Sequence, residues 1–401
     1  MNIKKQTVRM YLYEAALAFR MVDAVWVIFL LERGFSLAQV GVAEGIFHIT
    51  SMIFEVPSGM AADLFGRKRT LVLSGAVGIC GAVLMTLDGW SGFVYCGMIF
   101  SALSLNLASG TEEALVYDSL LEAGEEKQYK KIWANISLIA RTASALACAA
   151  SPVAILMGYR YTYYIMAGLY LCTILAVAGV KEPVVTKKQE MRKQSLRREL
   201  GTRWKQHMKG TGTFIKENPK TMLKLLANAA LACPCYLIMM YLQEHLVNCG
   251  WPKSFIGIPM LVIPLAGALG TRVAAKNESR LGRALLACGI ISGIGTCLVG
   301  NNALAVVLLG ACIARGCEGF SEIKTSENVN REFSSDYRAT LVSVDSMLYS
   351  ILMVAASPIT GYLGERYSVN VVFYLLGGIL LSATVIAGMT VLGVYGRKIE
   401  N

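Results

Sequence analysis

Twelve stretches of mostly apolar residues follow one another along this chain, near 10–32, 38–62, 69–87, 92–117, 131–156, 160–180, 220–244, 254–275, 283–300, 303–324, 338–362 and 370–395. About twenty apolar residues in helical form cover the roughly 30 Å of hydrocarbon in a bilayer. Backbone inside lipid must satisfy its own hydrogen bonds, so runs of this length select helices. Composition agrees. Of the 401 residues, 55% are apolar and 16% charged, against about 25% charged in a soluble domain. A soluble enzyme, a disordered chain and a secreted disulfide scaffold are excluded. The expected fold is an all-α membrane protein of twelve transmembrane helices. Glu14, Arg20 and Asp23 interrupt the first apolar run. A cleavable signal would have a clean apolar core, so a retained first helix is expected.

Lys and Arg orient the spans. With the N-terminus inside, thirty of them fall on the inner side, and only Arg33, Arg160, Lys253 and Arg366 fall outside. Both termini and the segment between spans 6 and 7 are therefore expected in the cytoplasm, with the chain in the plasma (cytoplasmic) membrane. The same bias explains the formal charge of +11 without invoking nucleic acid as a partner. In the central segment Leu196, Leu200, Trp204 and Met208 recur every four residues among Arg197, Arg198, Arg203, Lys205 and Lys209. That pattern reads either as a basic amphipathic helix on anionic lipids of the inner leaflet or as a solvated linker.

The chain repeats itself. Ala149-Ala150-Ser151-Pro152 recurs as Ala355-Ala356-Ser357-Pro358, and Gly158, Arg160 and Tyr161 recur as Gly364, Arg366 and Tyr367 at the same offset. Arg69-Thr70-Leu71 with Gly75 and Gly81 matches Arg283-Ala284-Leu285 with Gly289 and Gly295. Tyr129-Lys130 matches Tyr337-Arg338. The expected organisation is two pseudo-symmetric six-helix bundles, 1–181 and 220–401, joined by a cytoplasmic linker at 182–219. An even number of helices per half gives a symmetry axis along the membrane normal and a substrate site between the halves near mid-bilayer. Each chain has enough helices to work as a monomer.

The loop between spans 2 and 3 reads Gly59-Met60-Ala61-Ala62-Asp63-Leu64-Phe65-Gly66-Arg67-Lys68-Arg69. Gly59 would let a neighbouring helix approach, Gly66 would allow a tight turn, and Asp63 would cap a helix or pair with a cation. Arg67, Lys68 and Arg69 would hold the loop inside. This loop resembles the signature GxxxD(R/K)xGR(R/K) of the major facilitator superfamily, and Ser279-Arg280-Leu281-Gly282-Arg283 echoes it in the second half. Glu55-Val56-Pro57-Ser58-Gly59, Ser109 to Leu120 and Tyr337-Arg338-Ala339-Thr340 resemble a prokaryotic drug or small-solute branch of that superfamily. The resemblance implies that Gly59, Asp63, Gly66, Arg67 and Lys68 form a conformational latch between spans 2 and 11 rather than a substrate site. The chain departs from the pattern at Leu64, where a basic residue is usual. It also has Asn106 in span 4 as the polar residue nearest to where many proton-coupled members carry arginine.

An ionisable side chain at mid-bilayer costs roughly 3 kcal/mol or more, so it faces a cavity or a partner. Arg20 and Asp23 on span 1 and Arg315 and Glu318 on span 10 are each three residues apart and can pair. Each pair reads either as a gate or as a structural ion pair. Carboxylates in a cavity of low dielectric hold protons near neutral pH, which makes Asp23, Glu113 and Glu318 the proton-coupling candidates. Arg20, His48, Glu112, Arg141, Tyr236 and Arg315 are the substrate-cavity candidates. Glu44 and Glu244 are expected as wet residues at the outer mouth, and Asp118 as one member of a pair with a cation at the inner face. None of the eleven cysteines has metal-ligand spacing, no Walker lysine motif is present, and no catalytic constellation emerges. No cofactor, metal or enzymatic activity is expected. The expected function is proton-coupled efflux of a small organic or amphipathic solute. Uptake symport of a small anionic solute is the alternative, followed by a non-transporting receptor or lipid flippase.

Overall fold

The computed structural model describes residues 3–184, 212–333 and 338–399, without the side chains of 63–64, 151–152, 154, 330, 338–340 and 390–399. The central repeat of Leu196, Leu200, Trp204 and Met208 lies outside the described residues. Regular structure among the described residues is helical throughout: α1 (Ile3–Ala18), α2 (Trp26–Glu32), α3 (Leu37–Phe65), α4 (Arg67–Thr86), α5 (Gly92–Ala108), α6 (Thr111–Ala123), α7 (Tyr129–Ala149), α8 (Ser151–Met157), α9 (Tyr159–Ala178), α10 (Pro219–Asn248), α11 (Gly257–Lys276), α12 (Leu281–Val299), α13 (Leu304–Glu332), α14 (Arg338–Arg366) and α15 (Val369–Ile399), with short 3₁₀ turns. Eleven helical stretches are long and apolar enough to cross a membrane, and they coincide with expected spans 2 to 12.

Span 1 differs from the expected continuous helix. It consists of α1, a 3₁₀ turn at Met21–Ala24, and α2. Neither glycine nor proline lies at the break. Side chains hold it instead. The Arg20 backbone leaves the helical basin at φ −106°, ψ 84°. Its guanidinium folds back onto the Asp23 carboxylate at 3.1 Å. The Ala18 carbonyl accepts from the Arg20 amide at 2.9 Å and from the Ser144 hydroxyl of α7 at 3.1 Å. Irregular backbone at membrane depth survives only with such substitute partners.

Packing divides the chain into two units, Met1–Trp26 with Ile46–Thr213, and Val27–Gly45 with Phe214–Asn401. In the first, Met10, Tyr13, Leu71, Leu115, Leu120 and Val177 share one buried cluster. Ser74 and Ser104 join α4 to α5 reciprocally, each hydroxyl donating to the other's carbonyl at 2.7 and 2.9 Å. In the second, α11 and α13 meet backbone to backbone. A methyl added at Gly270 would lie 2.0 Å from the Gly316 carbonyl oxygen, and one at Gly319 would lie 2.3 Å from that of Gly267. Small residues are what allow that approach between membrane helices.

Candidate functional site: ion pairs, a carboxylate cluster and a cavity beside Arg67

The expected latch loop turns at Gly66, whose φ of +98° only glycine adopts without strain. The turn delivers the first amides of α4 to a carboxylate that sequence reading missed. Glu182, just beyond α9, accepts from the Arg67 and Lys68 amides, each at 2.8 Å. A carboxylate on two free amides at a helix N-terminus satisfies orphan donors and the positive dipole end together. Lys68 Nζ donates to the Ala178 carbonyl at 2.6 Å, and Arg67 pairs with Asp118 at 2.8 Å. The Asp63 side chain lies outside the description. Gly59 is exposed. The close approach on α3 comes earlier, at Gly41, where a methyl would sit 2.2 Å from the Ser357 carbonyl oxygen of α14.

Beside Arg67 is a cavity of about 470 Å³ whose walls include Glu113, Tyr117, Asp118 and Tyr129. The Tyr129 hydroxyl donates to Glu113 at 2.6 Å. Glu113 is solvent-exposed here. Its neighbour Glu112 turns inward, as the roughly 100° between successive helical residues requires. The Glu112 Oε2 atom is fully covered and has no hydrogen-bond partner among the described residues. Glu14 and Glu113 are its electrostatic neighbours. The Tyr13 hydroxyl, on a side chain 1% exposed, faces Glu112 and Glu14. Glu14 is thus a member of this cluster that the sequence marked only as an interruption of span 1.

Arg20 and Asp23 pair at the span 1 break, with Cys148 of α7 within electrostatic reach of Asp23. Arg141, one helical turn before Ser144 on α7, is exposed and makes no hydrogen bond or ion pair among the described residues. His48 is buried and meets Phe47 edge-on. Near it on α3, Ser51 donates to the Asn106 side chain at 2.9 Å, and the Asn106 amide returns a bond to the Ser51 carbonyl at 2.7 Å. The structure therefore joins Asn106 to span 2.

In the second unit Arg315 and Glu318 form an ion pair on α13. Cys235 of α10 touches both of their side chains. One turn on, the Ser321 hydroxyl donates to Asn228 at 3.2 Å, and Asn228 also bonds Asp345. Tyr236 meets Tyr349 edge-on, and both rings belong to this unit. Glu44 is a correction. The expectation was a wet residue; it is 2% exposed, with Tyr241 and Tyr349 as neighbours. Residues Val27–Gly45 pack with the second unit, and that packing covers the carboxylate. Glu244 is half-buried. No group of three or more His, Cys, Asp or Glu side chains among the described residues could hold a metal ion.

The sequence model of the Major Facilitator Superfamily matches residues 15–326. The chain is 21% identical over 380 residues to the Bacillus subtilis MFS-type transporter YxaM, covering 91% of this chain and 90% of that protein. It is 22% identical over 359 residues to the Escherichia coli inner membrane transport protein YajR, covering 88% and 74%. In fold it is similar to a point mutant of the nucleoside transporter NupG, with a TM-score of 0.77 at 16% identity over 96% of this chain and 99% of that one. A D-xylose-proton symporter is similar with a TM-score of 0.68 at 12% identity, over 96% and 95%.

Proposed function

The chain belongs to the major facilitator superfamily of transporters, and from that premise we propose that it is a proton-coupled efflux carrier for a small organic or amphipathic solute. It works by alternating access in the cytoplasmic membrane with both termini inside. The observation that carries the reading is the matched Arg–acid pair within each unit, Arg20–Asp23 and Arg315–Glu318. An acid that exchanges an arginine for a proton changes the charge of its surroundings. That differential interaction is what a carrier needs to link proton binding to a shift between two states. Asp23 and Glu318 are the coupling acids in this reading. The Glu14, Glu112 and Glu113 cluster lies at the inner end of the first unit. The loop from Gly59 to Lys68 works as a conformational latch, held in the present state through Glu182. The similarity in fold to a proton symporter supports proton coupling. The two sequence relatives support a membrane transport role.

Purified protein in vesicles that enclose a pH dye tests the reading. Candidate solutes are quaternary ammonium compounds, which carry no exchangeable proton. Added outside, a solute exchanged for protons makes the interior alkaline, and a solute carried with protons makes it acidic. The proposal expects alkalinisation that is absent from empty vesicles. A second reading, uptake symport of a small anion, is favoured by one observation: Arg141 stands in span 5 without a partner among the described residues. It predicts acidification by a carboxylate or phosphate solute and loss of that signal in Arg141→Gln.

A further inference from the structure

The cavity beside Arg67 has a chemistry that the carrier reading does not use. Two tyrosines from different helices form its aromatic wall. Tyr117 on α6 meets Tyr129 on α7 edge-on, with ring centroids 5.3 Å apart and planes at 86°. Trp133 stacks with Tyr129 at 6.2 Å and 14°. Glu113 stands in the same wall, fixed through one oxygen by the Tyr129 hydroxyl. Among the described residues of the lining the cation is Arg67, which pairs with Asp118 at 2.8 Å. Lys127, Lys130 and Lys131 follow in sequence but do not line the cavity. Among the described residues of the lining, the charge left after the Arg67–Asp118 pair is the negative charge of Glu113.

Tyrosine faces attract cations through the ring quadrupole, and aromatic cages with a nearby carboxylate suit organic ammonium groups. A metal ion would demand several oxygen ligands, and no cluster of the kind exists among the described residues. The volume of about 470 Å³ lies within the range of small-molecule pockets. We propose that this cavity binds an amphipathic organic cation, through Tyr117, Tyr129 and Glu113, as a loading site on the side that the lysine bias assigns to the cytoplasm. The inference deepens the efflux reading by naming the charge class of the solute. It rests on that reading for the direction of loading and not for the binding itself.

Equilibrium binding to the full chain in nanodiscs, with no gradient across any membrane, reads the site by itself. The probe is tetraphenylphosphonium, and the control is tetraphenylborate, which has the same size and shape with the opposite charge. Saturable binding of the phosphonium is expected, and none of the borate above the lipid background. Glu113→Gln and Tyr117→Ala are each expected to weaken it about fivefold, on the scale of an exposed ion pair and an exposed cation–π contact respectively. Both residues are exposed, so the variants keep the fold, and unchanged melting temperature checks this. Tyr129→Phe keeps the ring and is expected to weaken binding only about twofold to threefold, as loss of one hydrogen bond would. Equal affinity for the borate overturns the proposal, and so does phosphonium affinity undiminished in both Glu113→Gln and Tyr117→Ala. Intact binding in a protein that moves no protons in vesicles would overturn the carrier reading and leave this site standing.

Discussion

The two Arg–acid pairs share a spacing and differ in everything around it. Arg315–Glu318 lies on an unbroken helix, its side chains 35% and 17% exposed. Cys235 touches both partners, and Gly267 of α11 presses against the arginine stem, where a methyl would lie 3.2 Å from Arg315 Cγ. Arg20–Asp23 spans a 3₁₀ turn between two helix fragments, with side chains 25% and 55% exposed. The first pair is clamped from two helices. The second closes a break to which Ser144 of α7 also contributes a bond. Equal spacing in the sequence therefore yields one pair held between two helices and one that lies more exposed beside a break in its span.

The largest effect is expected where the clamp meets backbone. Gly319→Leu forces α13 away from the Gly267 carbonyl. Overpacking a core costs roughly 1–3 kcal/mol when side chains can yield. Backbone cannot yield in that way, so a loss above about 3 kcal/mol is expected, seen as aggregation on gel filtration or a collapsed melting temperature. A normal melting curve would contradict the clamped contact.

Next comes the clamped pair itself. Glu318→Ala strands Arg315. A fully buried partner would cost roughly 3–5 kcal/mol. Partial exposure reduces that to about 2 kcal/mol, measured by thermal unfolding in detergent. The double change Arg315→Met with Glu318→Leu should recover most of it. If Glu318→Ala melts like the parent, the clamp is decorative.

Asp23→Asn, on the exposed pair, is expected to cost at most about 1 kcal/mol in the same unfolding measurement. A loss as large as that of Glu318→Ala would erase the distinction between the pairs. The smallest effect is Ser144→Ala, which removes one interhelical hydrogen bond to Ala18. About 0.6 kcal/mol is expected. A loss of several kcal/mol would mean that this one bond holds the break open.

Much of this fold was legible because lipid imposes length and hydropathy on every span, and eleven expected spans correspond to continuous helical stretches. The break in span 1 was hidden for a physical reason. Breaks are read from glycine and proline, whereas this one depends on Ser144, 126 positions away, taking over a backbone carbonyl. Glu182 was hidden likewise, 115 residues from the amide it caps. The i, i+3 spacing announced Arg315–Glu318 through helix geometry, whereas Arg20 and Asp23 meet across the 3₁₀ turn rather than along a helix. Burial was less readable. Glu44 was expected to be wet because it lies near the outer mouth, and the helices that cover it are distant in sequence. Of two adjacent acids, the sequence could say that they diverge, but not that Glu112 would turn inward while Glu113 reached Tyr129.

The central claim is that Asp23 exchanges its arginine for a proton during the carrier cycle. Paired vesicle measurements on Asp23→Asn test it most directly, one of solute–solute exchange without a gradient and one of accumulation driven by a pH gradient. The account predicts that exchange persists while gradient-driven accumulation is lost. Gradient-driven accumulation at the parent rate in Asp23→Asn would contradict it.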